Sequence, residues 1–331
     1  LWWELLPPGS RDARRGLAGA IRAATDAEIA AAEWAVAADA RTSWIELARA
    51  ERAVDLADRA EDLAEETRSF GRSMLDRGAA TEPEVAVLEL DVATAHRDAA
   101  AARGARSIAR ERLATAAGLP AGTRPRTVAD ADPLEPLPPI VPPGDDDDLL
   151  LARMPRLAEL RARYDEAERE LELAHLGALL RTSIGPEVQR DATSTYLGGG
   201  ATVTIPWTDA NRGAIAESEA RRGAAARSFE EELYAAQTAL TAARADVDAA
   251  ARALEIHRRE VEPAAREALA SSERALELGA ADLLTTLLAR ERALRSARAS
   301  LDLRAAHAIA VARLEAAYGP EPLPTDDRRI P

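Results

Sequence analysis

The sequence predicts a mainly α-helical protein, built from long antiparallel helical hairpins in two internal repeats, with a small β-hairpin. Three observations predict this fold class. About half of the chain is Ala, Glu, Arg and Leu in helical periodicity, which is typical of long helices and coiled coils. Residues that break helices are rare over long stretches. Glycine-containing turns recur at a fixed spacing, which indicates an internal duplication.

The composition excludes several classes of function. Cysteine and lysine are absent from the 331 residues, and 43 arginines stand against 57 acidic residues, for a formal charge of −14. The arginines are interleaved with acids rather than clustered, so we expect no nucleic-acid partner. Without cysteine there is no disulfide or thiolate metal site. No apolar run of about 18 residues is present to form a transmembrane helix.

The duplication is visible as an ungapped alignment of residues 78–118 with 279–319, at an offset of 201. A second match places residues 12–16 on 209–213, differing at one position in five. Chance similarity between alanine-rich helices is the alternative, but glycines paired at fixed positions favour duplication. The paired glycines are Gly78 with Gly279 and Gly118 with Gly319.

Each repeat predicts one helical hairpin. A long helix runs to about Asp76 or Leu278, a glycine turn follows, and a helix returns. Thr81 and Asp282 are suitable N-caps for the returning helices. Glycine followed by proline ends those helices near residues 118 and 319. Pro263 lies inside the second long helix and is expected to kink it.

Proline and acidic residues dominate the segment after the first hairpin, so it cannot be regular helix. We expect Asp145 to Asp148 to be a solvated loop. Further on, Thr202 and Thr204 alternate with Val203 and Ile205, a period of two that is typical of a strand. With residues 184–195 before the glycine run 198–200, this pattern predicts a β-hairpin.

An isolated hairpin is marginally stable, so this one needs strand partners from the other repeat or from other chains. The first repeat should carry an equivalent hairpin, yet only about ten residues precede its long helix. We therefore expect roughly 50 residues of that repeat to be missing at the N-terminus. The predicted segments are a remnant of the first-repeat strand at 1–11, the first-repeat helical hairpin at 12–118, a Pro/Asp-rich linker at 119–148, a helix at 149–182, the β-hairpin at 183–208, the second-repeat helical hairpin at 209–319 and a C-terminal tail at 320–331.

These motifs resemble the TolC-like outer membrane efflux protein family, and most closely its heavy-metal (cobalt–zinc–cadmium type) branch. The resemblance covers nearly the whole chain. Its sharpest part is similar to the second hairpin and following helix start of that branch. The matching residues are Ile184–Glu187, Gly199–Trp207 and Asn211–Ala216, together with the turns at Gly78 and Gly279 and the helix end at Gly118–Pro120.

The resemblance implies a homotrimer in the outer membrane, with most of the chain in the periplasm. Each subunit would give strands to one shared trimeric β-barrel, and the helices would form a periplasmic tunnel. The tunnel would dock on a periplasmic adaptor and an inner-membrane pump, and would pass small solutes or metal ions passively. It implies neither an enzyme nor a cofactor. The membrane hairpin would present Val203, Ile205 and Trp207 to outer membrane lipid.

The glycine turns would be the tips that touch the adaptor. They comprise Arg77, Gly78, Ala79, Ala80 and Thr81 in the first repeat, and Leu278, Gly279, Ala280, Ala281 and Asp282 in the second. Without the resemblance, simple helix–helix turns would be the favoured interpretation.

Thr285 and Leu288 occupy positions that are often acidic in the family, so a strong acidic gate is not expected. The near absence of the first hairpin keeps a second hypothesis open. The alternative is a non-channel periplasmic coiled-coil scaffold, which would need no detergent and would conduct nothing. The four histidines lack the spacing of a helical metal site, so we expect no bound metal.

Overall fold

A computed structural model describes residues 3–5, 7–120, 122–123, 132–135, 146–179, 181–191, 193–204, 210–281 and 283–320. It confirms the predicted fold class of long helical hairpins with a small antiparallel sheet. The elements are β1 Trp3–Leu5, α1 Ser10–Asp76, α2 Glu82–Ala116, α3 Asp146–Arg153, α4 Pro155–Leu176, β2 Arg181–Arg190, β3 Thr195–Thr204, α5 Arg212–Ile256, a π-helical turn at His257–Val261, α6 Glu262–Glu277 and α7 Leu283–Tyr318.

The chain divides into two compact units. The first unit comprises Leu1–Trp34, Pro142–Thr238 and Tyr318–Pro331, and it holds the sheet. The second unit comprises Ala35–Val141 and Ala239–Ala317, and it holds both glycine turns.

The core of the second unit is thin and rich in alanine. Ile45 and Leu134 pack there with three alanines of α7 in one cluster. Leu47 packs with Leu113 and two alanines in another. Small side chains let helix backbones approach closely, so long helices pack side by side with few large apolar residues. Leu134 also shows that the Pro-rich segment contributes one side chain to this core.

Ion pairs join the helices of the second unit and explain why arginine alternates with acids. Arg103 of α2 lies 2.7 Å from Asp58 of α1. Arg49 of α1 lies 2.9 Å from Asp302 of α7. These pairs are exposed, and each such pair contributes about 0.2–1 kcal/mol. The arginines therefore bind the chain's own acids.

The sheet corrects the predicted position of the hairpin turn. β2 and β3 pair antiparallel from Arg181↔Thr204 to Arg190↔Thr195, and the glycine run lies inside β3. Asp191 and Ser194 close a two-residue loop, with the Asp191 N–H 2.8 Å from the Ser194 carbonyl oxygen. None of these three glycines has a positive φ, so their conformational freedom is not used for a turn. The hairpin was expected to need a partner strand. Strand β1 is such a partner, since it pairs with β2.

Two predicted boundaries in the middle of the chain are wrong. The linker was expected to reach residue 148, but α3 begins at Asp146, so the aspartates there form a first helical turn. A single helix was expected over 149–182, but Met154 is extended ahead of Pro155 and separates α3 from α4. Proline disfavours helical geometry in the residue before it, which explains the break. Strand β2 then begins at Arg181, within the predicted helix.

The second long helix is interrupted just before Pro263, where a kink was expected. The interruption is the π-helical turn, in which each backbone hydrogen bond spans five residues instead of four. This turn continues directly into α6. Proline lacks an N–H and crowds the carbonyl four residues back. A π-turn next to it accommodates both defects. The first-repeat helix α1 has no such proline and is continuous over 67 residues, or about 100 Å.

Candidate functional site

The first glycine turn is built by a defined helix-ending motif. Gly78 has a φ of +71°, which glycine adopts without strain. The Ala79 N–H donates to the Met74 carbonyl at 2.8 Å, and the Gly78 N–H to the Leu75 carbonyl at 2.9 Å. This pair of bonds is the Schellman motif. Thr81 then starts α2 in a capping box with Glu84.

The second glycine turn repeats that motif at the equivalent positions. Gly279 has a φ of +66°. The Ala280 N–H donates to the Ala275 carbonyl at 2.8 Å, and the Gly279 N–H to the Leu276 carbonyl at 3.0 Å. Asp282, predicted as the N-cap here, lies outside the described residues.

The two turns differ in the side chain that precedes the glycine. Arg77 folds back along α1, where its guanidinium donates to the carbonyl and the hydroxyl of Ser73, both at 3.0 Å. Leu278 has no comparable contact and is 83% exposed. The rest of each turn is small and presents mainly backbone. The first turn therefore offers a cation and the second an apolar side chain.

Arg290 of α7 connects the two hairpins close to their turns, a role that no sequence pattern predicts. Its guanidinium donates to Thr67 of α1 at 2.9 Å and to Glu273 of α6 at 3.1 Å. Thr67 and Glu273 lie within about three helical turns of the ends of their helices. The structure thus brings the two predicted tips to the same end of the second unit.

One face of the sheet of the first unit is largely apolar, apart from Thr182 and the Arg190–Thr195 pair beside the loop, and the other face is largely polar. Trp3, Ile184 and Ala201 are paired across the three strands, and Leu5, Thr182 and Val203 are paired likewise. Residues that alternate with them belong to the opposite face. The exposed apolar side chains on the first face are Trp3, Leu5, Ile184, Val188, Leu197 and Val203. The opposite face includes Ser183, Gly185, Glu187, Tyr196, Gly198, Gly200 and Thr202.

Of the three residues predicted to face lipid, Val203 lies on this apolar face. Ile205 and Trp207 lie outside the described residues. Val188 and Leu197, which lie directly opposite each other, are not among the predicted residues, because a turn at the glycines would exclude them from the paired strands. With the correct turn, the alternation would have extended to both.

An unpartnered face also runs along α2. At 100° per residue, Leu90 and Ile108 lie on the side opposite the buried Leu88, Val92 and Ala99. Both are more than half exposed. Gly104 lies on the same side, and a Cβ added there would meet nothing within 4 Å. A glycine inside a helix costs about 1 kcal/mol, and no close contact with the described residues explains it.

Neither a cluster of metal-ligating side chains nor a membrane-spanning helix occurs among the described residues. No group of three or more His, Asp or Glu side chains among them could hold a metal ion. Within the same part of the chain, no helix is long and apolar enough to cross a lipid bilayer.

The fold is that of outer-membrane channel proteins, so the resemblance drawn from the sequence is confirmed at the level of fold. The structure is similar to the open state of the Neisseria gonorrhoeae outer membrane channel MtrE, with a TM-score of 0.80 and 20% identity, over 96% of this chain and 73% of that chain. It is similar to CusC, described for transmembrane channel formation, with a TM-score of 0.80 and 17% identity, over 96% and 76%. It is also similar to the Vibrio cholerae outer membrane protein VceC, with a TM-score of 0.75 and 18% identity, over 96% and 78%. No family model and no curated protein sequence matches the chain.

Proposed function

We propose that this protein is the outer-membrane exit duct of a tripartite efflux system, a homotrimer that passes small solutes or metal ions passively. The observation that carries the proposal is the exposed sheet with one apolar face, on a chain with the fold of outer-membrane channels. Such a face is costly in water and stable against lipid. Both outer strands of the sheet need further strands beside them, since unpaired backbone groups are not tolerated in a bilayer.

Association between copies is supported by the α2 face. Ile256 and Val261, near the π-turn, are also exposed apolar residues on a different helix. A contact between copies that joins two different surfaces is heterologous, and heterologous contacts that close produce rings. Gly104 would let a neighbouring helix approach α2 closely. We therefore expect Leu90→Glu to convert trimers into monomers in detergent, as measured by native mass spectrometry.

Two adjacent residues give a matched test of the membrane face. Leu197 and Tyr196 are 80% and 64% exposed, on the apolar and the polar face respectively. An arginine facing the middle of a bilayer costs about 2–4 kcal/mol. Leu197→Arg should therefore lower binding to phosphatidylcholine vesicles about thirtyfold or more, and Tyr196→Arg should not. Equal binding of the two variants would contradict a lipid-facing role.

Docking of an adaptor at the glycine turns is the second part of the proposal. Since Leu278 is almost fully exposed, Leu278→Asp should leave the fold unchanged and abolish export. Leu119→Asp, at an exposed site after the other end of α2, is the control and should export normally. Export is measured as tolerance to zinc and cobalt salts in cells that depend on this gene. Normal tolerance with Leu278→Asp would refute docking through that side chain.

The duct and the scaffold alternative differ in conductance. A duct needs detergent and conducts ions when reconstituted in a planar bilayer. A water-soluble chain that never conducts would support the scaffold instead.

A further inference from the structure

A cavity of about 340 Å³ lies between α1, α6 and α7 in the second unit. Its charged lining consists of three arginines, Arg52, Arg266 and Arg304, and one carboxylate, Glu262. This local excess of positive charge stands out in a chain with a formal charge of −14.

Two of the three arginines already have acidic partners. Arg52 pairs with Asp132, and Arg266 lies 2.8 Å from Glu262. Arg304 is half-buried and forms no ion pair with any acid in the described part of the chain. It is within electrostatic range of Asp132, but both oxygens of that carboxylate accept other hydrogen bonds, from Arg52 and from the Leu134 N–H. Among the described residues, Asp132 therefore acts on the Arg304 guanidinium without forming an ion pair with it.

Two buried serine residues lie beside Arg304. Ser296 and Ser300 both line the cavity, and each is only 8% exposed. The Ser296 hydroxyl lies 3.4 Å from Nε2 of His257. The Ser300 hydroxyl is not one of the buried, unpaired polar atoms of the described residues. A serine hydroxyl can donate one hydrogen bond to an acceptor on a ligand.

The remaining wall of the cavity is apolar. It is formed by Ala265, Leu269, Ala293, Ala297 and Leu301. A guanidinium donates two parallel hydrogen bonds to a carboxylate, and a serine hydroxyl can add a third. The apolar wall matches a short hydrocarbon or aromatic body, which inorganic phosphate lacks. We propose that this cavity binds small organic anions that join one carboxylate to a compact apolar group, with Arg304 and Ser300 holding the carboxylate. This site does not depend on the proposed duct function.

The test is a titration of the full chain with 4-fluorobenzoate, followed by fluorine NMR of the ligand. We expect saturable binding, and no binding of the neutral analogue 4-fluorobenzyl alcohol. Arg304→Gln should weaken binding about tenfold, as expected for the loss of a charge-assisted hydrogen bond. Arg313→Gln is the matched control, since Arg313 lies on the same helix, is exposed and does not line the cavity.

A second variant protects the test against a folding defect. Ser300→Ala keeps the helix and removes only the hydroxyl, so it should weaken 4-fluorobenzoate binding severalfold while circular dichroism stays unchanged. Arg304→Lys should restore part of the affinity lost in Arg304→Gln. The proposal is overturned if 4-fluorobenzoate does not bind, if the alcohol binds equally well, or if both Arg304→Gln and Ser300→Ala bind like the unmodified chain.

Discussion

Gly118 and Gly319 end the two returning helices at equivalent positions, but only one of them is tightly packed. Both have a positive φ, +67° and +82°. A Cβ at Gly118 would meet nothing within 4 Å. A Cβ at Gly319 would lie 2.3 Å from the carbonyl oxygen of Arg153, where real contacts begin near 3.0 Å. The Arg153 backbone would have to move by about 0.7 Å, and the side chain of Arg153 also donates to Pro320 at 3.1 Å.

These geometries give different expected costs for the same substitution. A left-handed conformation costs a residue with a Cβ about 1–2 kcal/mol, so Gly118→Ala should lose that much stability. Gly319→Ala carries the same penalty plus overpacking of about 1–3 kcal/mol. We therefore expect Gly319→Ala to lower the free energy of unfolding by about 2–5 kcal/mol.

The assay is urea unfolding of the full chain in detergent, followed by far-UV circular dichroism. The two variants serve as controls for each other, because the backbone penalty is shared. If both variants lose the same free energy of unfolding, a Cβ at Gly319 causes no overpacking against Arg153, and the predicted difference is refuted.

Three further perturbations test the interior contacts. Arg290→Gln should lower the free energy of unfolding by about 1–2 kcal/mol, because it removes the charged donor to Thr67, and an unchanged urea midpoint would contradict this. Burial lowers the pKa of His307, so the unfolded chain takes up the proton more readily. The resulting stability is full above about pH 6.5 and falls as the pH drops through that value, and His307→Leu should flatten this part of the profile. Burial alone would raise the pKa of Glu159, but hydrogen bonds from Arg156 and Arg163 outweigh it and lower the pKa. Its contribution is present above about pH 4.5 and lost below, and thermal melts of Glu159→Gln should show a weaker loss there.

Local chemistry made much of the fold predictable. The glycine turns were located from sequence because only glycine adopts a positive φ without strain, and both turns carry the same motif. The returning helices end where glycine and proline predicted. The tip residues were named from the family resemblance, and their role in docking stays a prediction.

The errors have two causes: tertiary pairing decided the glycine run and the role of Arg290, whereas the break at Met154 is a local effect of the following proline. Glycine was taken as a turn residue at 198–200, yet β2 pairs along the whole run and keeps it extended. Met154 was placed inside a helix, although the proline after it separates two helices. No sequence pattern distinguishes Arg290 from the other arginines, because its partners lie on two other helices.

The sequence by itself determined the helical hairpins, the two glycine turns and the presence of a strand pair, because backbone preference and periodicity act over a few residues. Only the tertiary structure decided which face of the sheet is apolar, which arginine joins the two hairpins and which glycine is closely packed. Those features depend on register and on contacts between residues far apart in the chain, and local propensity carries no information about either.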